Sequence, residues 1–127
     1  MIGFEELYNI AQELAVPRKL SEYTDVAMVG AALLTDKGNV YKGVCIDAPC
    51  GMGFCAEHSA IAAMVTAGEN RIVKVIAVGA DGRIMAPCGR CREFMAQIHD
   101  DNRNAEVMLA RDNILLLKDI LPYDWRK

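Results

Sequence analysis

Two short stretches, Cys55-Ala56-Glu57 and Pro87-Cys88-Gly89-Arg90-Cys91, constrain this chain more than any other feature. Together they carry three thiols and a carboxylate. If the three sulfurs serve one metal ion, the fold must bring two distant segments to a single point. Zn²⁺ usually takes four ligands, so three thiolates leave one position for a water. The ion lowers the pKa of that water and so supplies hydroxide near neutral pH. Glu57 follows its neighbouring ligand too closely to share the metal comfortably. It is better placed to carry protons between the water and a substrate.

A lone C-x-x-C would say little, because redox dithiols and structural zinc half-sites share it. Thioredoxin-type motifs generally carry Pro inside the C-x-x-C, whereas Pro87 precedes it, and bound zinc would block the thiols. A closed structural site needs a fourth Cys or His nearby. Cys45, Cys50 and His58 are the near candidates, and Cys50 or His58 could close it.

With 127 residues, the chain is expected to form one domain spanning 1–127, with a real hydrophobic core. Its net charge is −3 and it has no run of Lys or Arg. A protein that tracks a polynucleotide backbone normally shows a basic stripe. A small, neutral or weakly charged substrate is therefore expected, and no nucleic acid polymer. No apolar run approaches the length of a membrane span, so no membrane partner is expected. The N-terminal residues show neither a basic nor an apolar leader region. Five cysteines cannot all pair. The expectation is a reducing, cytoplasmic setting with cysteines as metal ligands and small core residues.

Apolar spacing predicts an amphipathic helix over 2–15, ended by Pro17. Val26 to Thr35 and Val40 to Ile46 read as a strand hairpin around Asp36-Lys37-Gly38-Asn39. A Gly- and Pro-rich loop then leads to Cys55. Cys55 to Ala67 reads as a helix with Ile61, Met64 and Val65 inward, and with Ala62 and Ala63 allowing close packing on a sheet. Gly68 ends it. Ile72 to Val78 is a buried strand, Gly79 to Ala86 a polar crossover, and Gly89 to Ile98 a helix. Ala105 to Ala110 and Ile114 to Leu117 are short strands, the latter alternatively the start of a helix. This order implies a mixed α/β sheet of about five strands, covered by helices on both faces. Both cysteine stretches then fall at helix N-termini, where the partial positive charge favours thiolates. Three thiolates and Zn²⁺ leave a net −1. Arg92 could offset part of that, or be an ordinary solvated helix charge.

At these residues the chain resembles the cytidine deaminase superfamily, in its small, one-domain branch with three cysteine ligands. That branch includes nucleoside cytidine deaminases and blasticidin-S deaminases. The matching segments are Val29 to Thr35, Cys55-Ala56-Glu57, Pro87 to Arg92 and Ile120-Leu121-Pro122. The resemblance implies a three-layer α/β/α sandwich and a homotetramer with shared active sites. It implies Zn²⁺ held by Cys55, Cys88 and Cys91, with Glu57 as the catalytic proton carrier. The backbone around Ala56 and Pro87 would bind the base and the leaving group. The implied reaction converts a cytosine-type ring to uracil and ammonia.

The resemblance also has departures. Where nucleoside deaminases hold the ribose with an Asn-x-Glu-Asn stretch, this chain has Cys45-Ile46-Asp47-Ala48. Asp47 keeps a carboxylate on a shorter stem, and Cys45 is a poor hydrogen-bond partner. The Arg that often follows Cys-Ala-Glu and supports a thiolate is replaced by His58, which is expected to hydrogen-bond a thiolate or the backbone rather than to bind metal. The expected substrate is therefore cytidine or deoxycytidine, with a cytosine-containing analogue such as blasticidin S as the alternative. A non-catalytic zinc-stabilised module is the third reading.

Overall fold

The computed structural model describes residues 1–126. Helix α1 (Phe4–Leu14) precedes a two-residue strand, β1 (Arg18–Lys19), and the long hairpin β2 (Asp25–Thr35) and β3 (Val40–Asp47). Helix α2 (Ala56–Thr66) leads to β4 (Ile72–Gly79), the two-residue β5 (Ile84–Met85) and α3 (Gly89–Ile98). After a 3₁₀ turn at Asp100–Asn104 come β6 (Glu106–Ala110), β7 (Asn113–Leu116) and a second 3₁₀ turn at Leu117–Ile120. The five longer strands lie in the order β3-β2-β4-β6-β7. Every pair among them is antiparallel except β4 with β6. The sheet is thus mixed, as the element order implies.

The alternation of side chains across the central strands builds the layers. On β2, Ala32 and Leu34 face α1 and pack with Phe4, Leu7, Tyr8 and Ala11, while Ala31 and Leu33 face the opposite way. On β4, Ile76 and Val78 join the α1 side, and Val75 and Ala77 the other. That is the period of two that a strand imposes. Ile61 and Met64 of α2 and Met95 of α3 cover the second face. Each fully buried Leu, Ile or Met contributes roughly 1.5–3 kcal/mol.

Two glycines set how closely the helices lie. A Cβ on Gly30 would run into the Ala11 carbonyl of α1, and one on Gly43 would come within 2.5 Å of Ser59 of α2. Helix α2 buries Ala56, Glu57, Ala60, Ile61 and Met64. Ala62, Ala63 and Val65 lie outward instead of against the sheet. The close approach is made by Gly43 and Ser59, one turn nearer the helix start. Gly68 ends α2 as expected, with φ +91°. Its N–H donates to Val65 O and that of Glu69 to Met64 O, the paired bonds that cap a helix around a left-handed residue.

The stretch after β4 is more ordered than a polar crossover. Met85 pairs with Ala77 and Ile84 with Val78, closing a hairpin whose turn holds Gly82 at φ +84°. A second irregularity lies in β2, where Ala27 is fully buried at φ +69° and the register against β3 shifts between Val26 and Gly30. A left-handed Ala costs about 1–2 kcal/mol, and the bulge lies beside Met28 and Val29, which line the cavity described next.

Candidate active site

The N-termini of α2 and α3 meet at one end of the sheet. Cys55 is the residue capping α2 and Cys88 the one capping α3, both with extended backbone. Cys91 follows in the first turn of α3. The loop before Cys55 is docked on β3 by a reciprocal pair of backbone hydrogen bonds between Ile46 and Phe54, at 3.0 and 2.9 Å. Pro87 is buried immediately before Cys88.

The three sulfurs converge. Cys55 Sγ lies 3.5 Å from Cys88 Sγ, which lies 3.6 Å from Cys91 Sγ. All three are within 4.8 Å of one another, and they are the one group of metal-ligating side chains that converges in this way among the described residues. Cys50, exposed at φ +62° in the preceding loop, is outside the cluster.

The electrostatics fit a cation. Burial pushes the Cys55 thiol up, and the neighbouring Cys88 adds to this. Burial pushes Cys91 up strongly, reinforced by the charges of Glu57 and Cys55. Burial also raises Cys88, but the backbone N–H groups of Cys91 and Arg90 and the adjacent thiols more than offset that, holding it below its ordinary value. Without a cation at least two of the three would stay protonated. A thiophilic divalent ion that displaces those protons matches this donor set. The three cysteines are thus positioned to bind a metal ion.

A cavity of about 560 Å³ opens beside the sulfurs, lined by Cys55, Cys88 and Glu57. That is within the size range of small-molecule sites. Glu57 is only 6 % exposed, and burial raises its carboxyl above the usual range. A carboxyl so shifted lies closer to the pKa a proton shuttle needs at neutral pH. Cys45, Asp47 and Ala56 line the same cavity, Cys45 and Ala56 buried and Asp47 exposed at the end of β3.

His58 and Arg92 lie differently. His58 Nδ1 is 3.3 Å from Cys91 Sγ, and its ring stacks on Phe94 with centroids 4.5 Å apart at 16°. Arg92 turns away to the second 3₁₀ turn, where Nη1 donates to the Ile120 carbonyl at 2.5 Å. It ties α3 to the C-terminal segment.

Three further wall residues carry no signal in local sequence. Met28 and Val29 reach the cavity from the bulge in β2, and Met85 from the β5 hairpin. Arg90, inside the C-x-x-C, also lines it. Its position between two ligands was the available signal.

Residues 4–106 match the model of the cytidine and deoxycytidylate deaminase zinc-binding region. Over 70 residues the chain is 34% identical to the cytidine deaminase of Mycobacterium tuberculosis, covering 54% of this chain and 53% of that protein. Over 71 residues it is 38% identical to the cytidine deaminase of Halalkalibacterium halodurans, covering 55% and 54%. So matched, the chain spans about half the length of these curated relatives. The crystal structure of cytidine deaminase from Mycobacterium tuberculosis superposes with a TM-score of 0.81 at 25% identity, over 98% of each chain. With the three sulfurs and the buried glutamate arranged as described, and with most of its length matching, the chain belongs to the family of the cytidine and deoxycytidylate deaminase zinc-binding region.

Proposed function

We propose that this protein is a zinc-dependent hydrolase that deaminates a cytosine-type nucleoside to the uracil form, releasing ammonia. The observation that carries this reading is the buried Glu57 carboxyl in the wall of the cavity that the sulfurs of Cys55 and Cys88 also line. Cys55, Cys88 and Cys91 would hold the zinc. When bound, the ion supplies an activated water as nucleophile near neutral pH.

The protein's own groups then do the rest. Glu57 takes a proton from the attacking water and delivers it to the ring nitrogen. It next moves a proton to the exocyclic amine, which leaves as ammonia. Its raised pKa suits both directions of transfer. The backbone at Ala56 and Pro87 orients the base. The cavity's small volume favours a free nucleoside over a polymer. The net charge of −3 gives a polynucleotide no basic track to follow.

Cytidine and deoxycytidine are the first substrates to test. A cytosine-bearing analogue such as blasticidin S is the second reading, favoured by Cys45 and Asp47 in the wall where ribose-binding Asn and Glu are expected. The single domain would act as a homotetramer with shared sites, and exposed Tyr123 and Trp125 offer aromatic surface for neighbouring subunits. No helix among the described residues is long and apolar enough to cross a membrane, and the free thiols suit a cytoplasmic, reducing setting.

The test is ammonia release by the zinc-loaded protein with cytidine, deoxycytidine, cytosine and blasticidin S side by side. Turnover of the nucleosides supports the first reading, and turnover of blasticidin S alone the second. No turnover with a fourth protein ligand on zinc would leave only the non-catalytic module.

A further inference from the structure

The cavity wall changes character from its inner to its outer end. Glu57, in the wall that the sulfurs share, is almost fully buried. The reacting ring must sit there, so the group that the ring carries lies toward the open end. Apart from the cysteines and Glu57, the lining residues are apolar or glycine save two, Asp47 and Arg90. Both are exposed, so both stand where the cavity meets water.

Among the described residues, Arg90 is the one positive side chain in this wall. Its backbone is held between Cys88 and Cys91 in the first turn of α3, with its N–H beside the Cys88 sulfur. None of the ion pairs among the described residues uses Arg90, and none uses Asp47. Arg92, two positions on, is engaged by the Ile120 carbonyl instead. A pocket orients its ligand with a few polar groups set in apolar surroundings. Cys45, in the same wall, is a poor hydrogen-bond partner. That leaves Arg90 and Asp47 to read the group on the ring. An exposed guanidinium is screened by water and salt, which makes it a weak counter-charge for the metal centre.

We infer that Arg90 is a specificity-determining residue, which binds an anionic group, a carboxylate or a phosphate, on the substituent of the cytosine-type ring. The planar guanidinium offers a fork of N–H donors that matches either group with two parallel hydrogen bonds. Lys at the same place would supply the charge without the fork. Asp47, at the same end, accepts from a hydroxyl or amine of the substituent and so turns the anionic group toward Arg90. The preferred substrate is a cytosine derivative with an acidic substituent rather than a neutral nucleoside.

The inference rests on the deaminase reading of this site. Its test compares cytidine with cytidine 5′-monophosphate and with the cytidine derivative that carries a 5′-carboxylate, on the zinc-loaded protein. Binding is measured separately by calorimetry on zinc-loaded Glu57→Gln, where turnover does not interfere, with and without Arg90→Gln. The expected KM is about tenfold lower for at least one anion than for cytidine, as a hydrogen bond to a charged group provides. Arg90→Gln should remove that preference and leave kcat, bound zinc, melting temperature and the KM for cytidine unchanged. Arg90→Lys should keep part of the preference, and added salt should weaken it in the wild type. The anion that gains more shows whether carboxylate or phosphate is the partner. Cytidine bound as tightly as both anions, or a preference that survives in Arg90→Gln, would overturn the inference. So would an equal loss of turnover on all three substrates in Arg90→Gln together with weaker zinc binding, the mark of a residue that serves the metal centre. No turnover of these or of the four compounds named above would sink the deaminase reading itself, whereas the dependence of binding on Arg90 would still decide the inference.

Discussion

Gly43 on β3 and Ser59 on α2 face each other so closely that a Cβ on Gly43 would lie 2.5 Å from both Cβ and Oγ of Ser59. The contact lies one turn along α2 from Cys55 and two residues from Glu57, so it sets where the helix N-terminus sits. Gly43→Ala must push α2 off the sheet. The expected cost is about 1–3 kcal/mol, or a fall in melting temperature of roughly 4–12 °C, with weaker zinc binding. Adding Ser59→Gly should restore only part of this, because Ala60 N would still lie 2.7 Å from the new Cβ. Thermal melts of the single and double variants check it.

Asn102 is fully buried and joins three segments. It accepts from Ile72 N at 2.7 Å and donates to Asn70 O and Met95 O at 3.0 Å each. Asn102→Leu strands these backbone groups in the core. At about 1–3 kcal/mol per buried unsatisfied group, a loss of at least ~2 kcal/mol in urea unfolding is expected. Asn102→Asp keeps the acceptor for Ile72 N–H but turns an oxygen toward the Asn70 and Met95 carbonyls, so it should destabilise as well.

The C-terminal segment should respond to acid. Hydrogen bonds from Gln97, Arg126 and Trp125 hold the Glu93 carboxyl down to about 2. A carboxyl depressed in the folded state stabilises above its ordinary value, near 4.5, and loses that contribution as pH falls toward 2. Trp125, whose indole N–H donates to Glu93 at 3.1 Å, is the chain's one tryptophan and reports the change. Its emission should shift between about pH 4.5 and 2. In Glu93→Gln the shifted emission should already be present at neutral pH. A wild-type shift that survives unchanged in the variant would contradict this anchoring.

Metal removal should cost stability through mass action. Zinc at a hundredfold its Kd contributes about 2.7 kcal/mol, so stripping it should lower the melting temperature by several degrees. Cys91→Ser should behave like the stripped protein. Cys50→Ser should retain zinc at wild-type stoichiometry, because Cys50 lies outside the sulfur cluster. Loss of zinc in Cys50→Ser would instead favour a closed, non-catalytic centre.

The elements and the sulfur cluster were readable because each depends on local pattern. Near-continuous apolar runs mark β2 and β4, which are buried on both faces, Gly68 marks the end of α2, and the Pro-Cys-x-x-Cys spacing marks the start of α3. The sequence pattern of α2 turns Ala62, Ala63 and Val65 inward, whereas the fold leaves them outward. An all-small, apolar helix has little periodicity, and a sheet glycine rather than the helix itself selects its face. The β5 hairpin leaves no local signal because its pairing spans only Ala77–Met85 and Val78–Ile84 in a polar stretch. Asn102 and the His58–Phe94 stack depend on partners about thirty residues away in the chain, a distance no local pattern encodes.

The most direct measurement is steady-state cytidine turnover by Glu57→Gln, with bound zinc quantified in the same preparation. Glu57 is buried beside the sulfurs but is not one of the three converging ligands. The account predicts zinc at wild-type stoichiometry, an unchanged melting temperature, and turnover reduced by at least about a hundredfold, as loss of a general acid–base requires. Wild-type turnover in the zinc-loaded variant would contradict it.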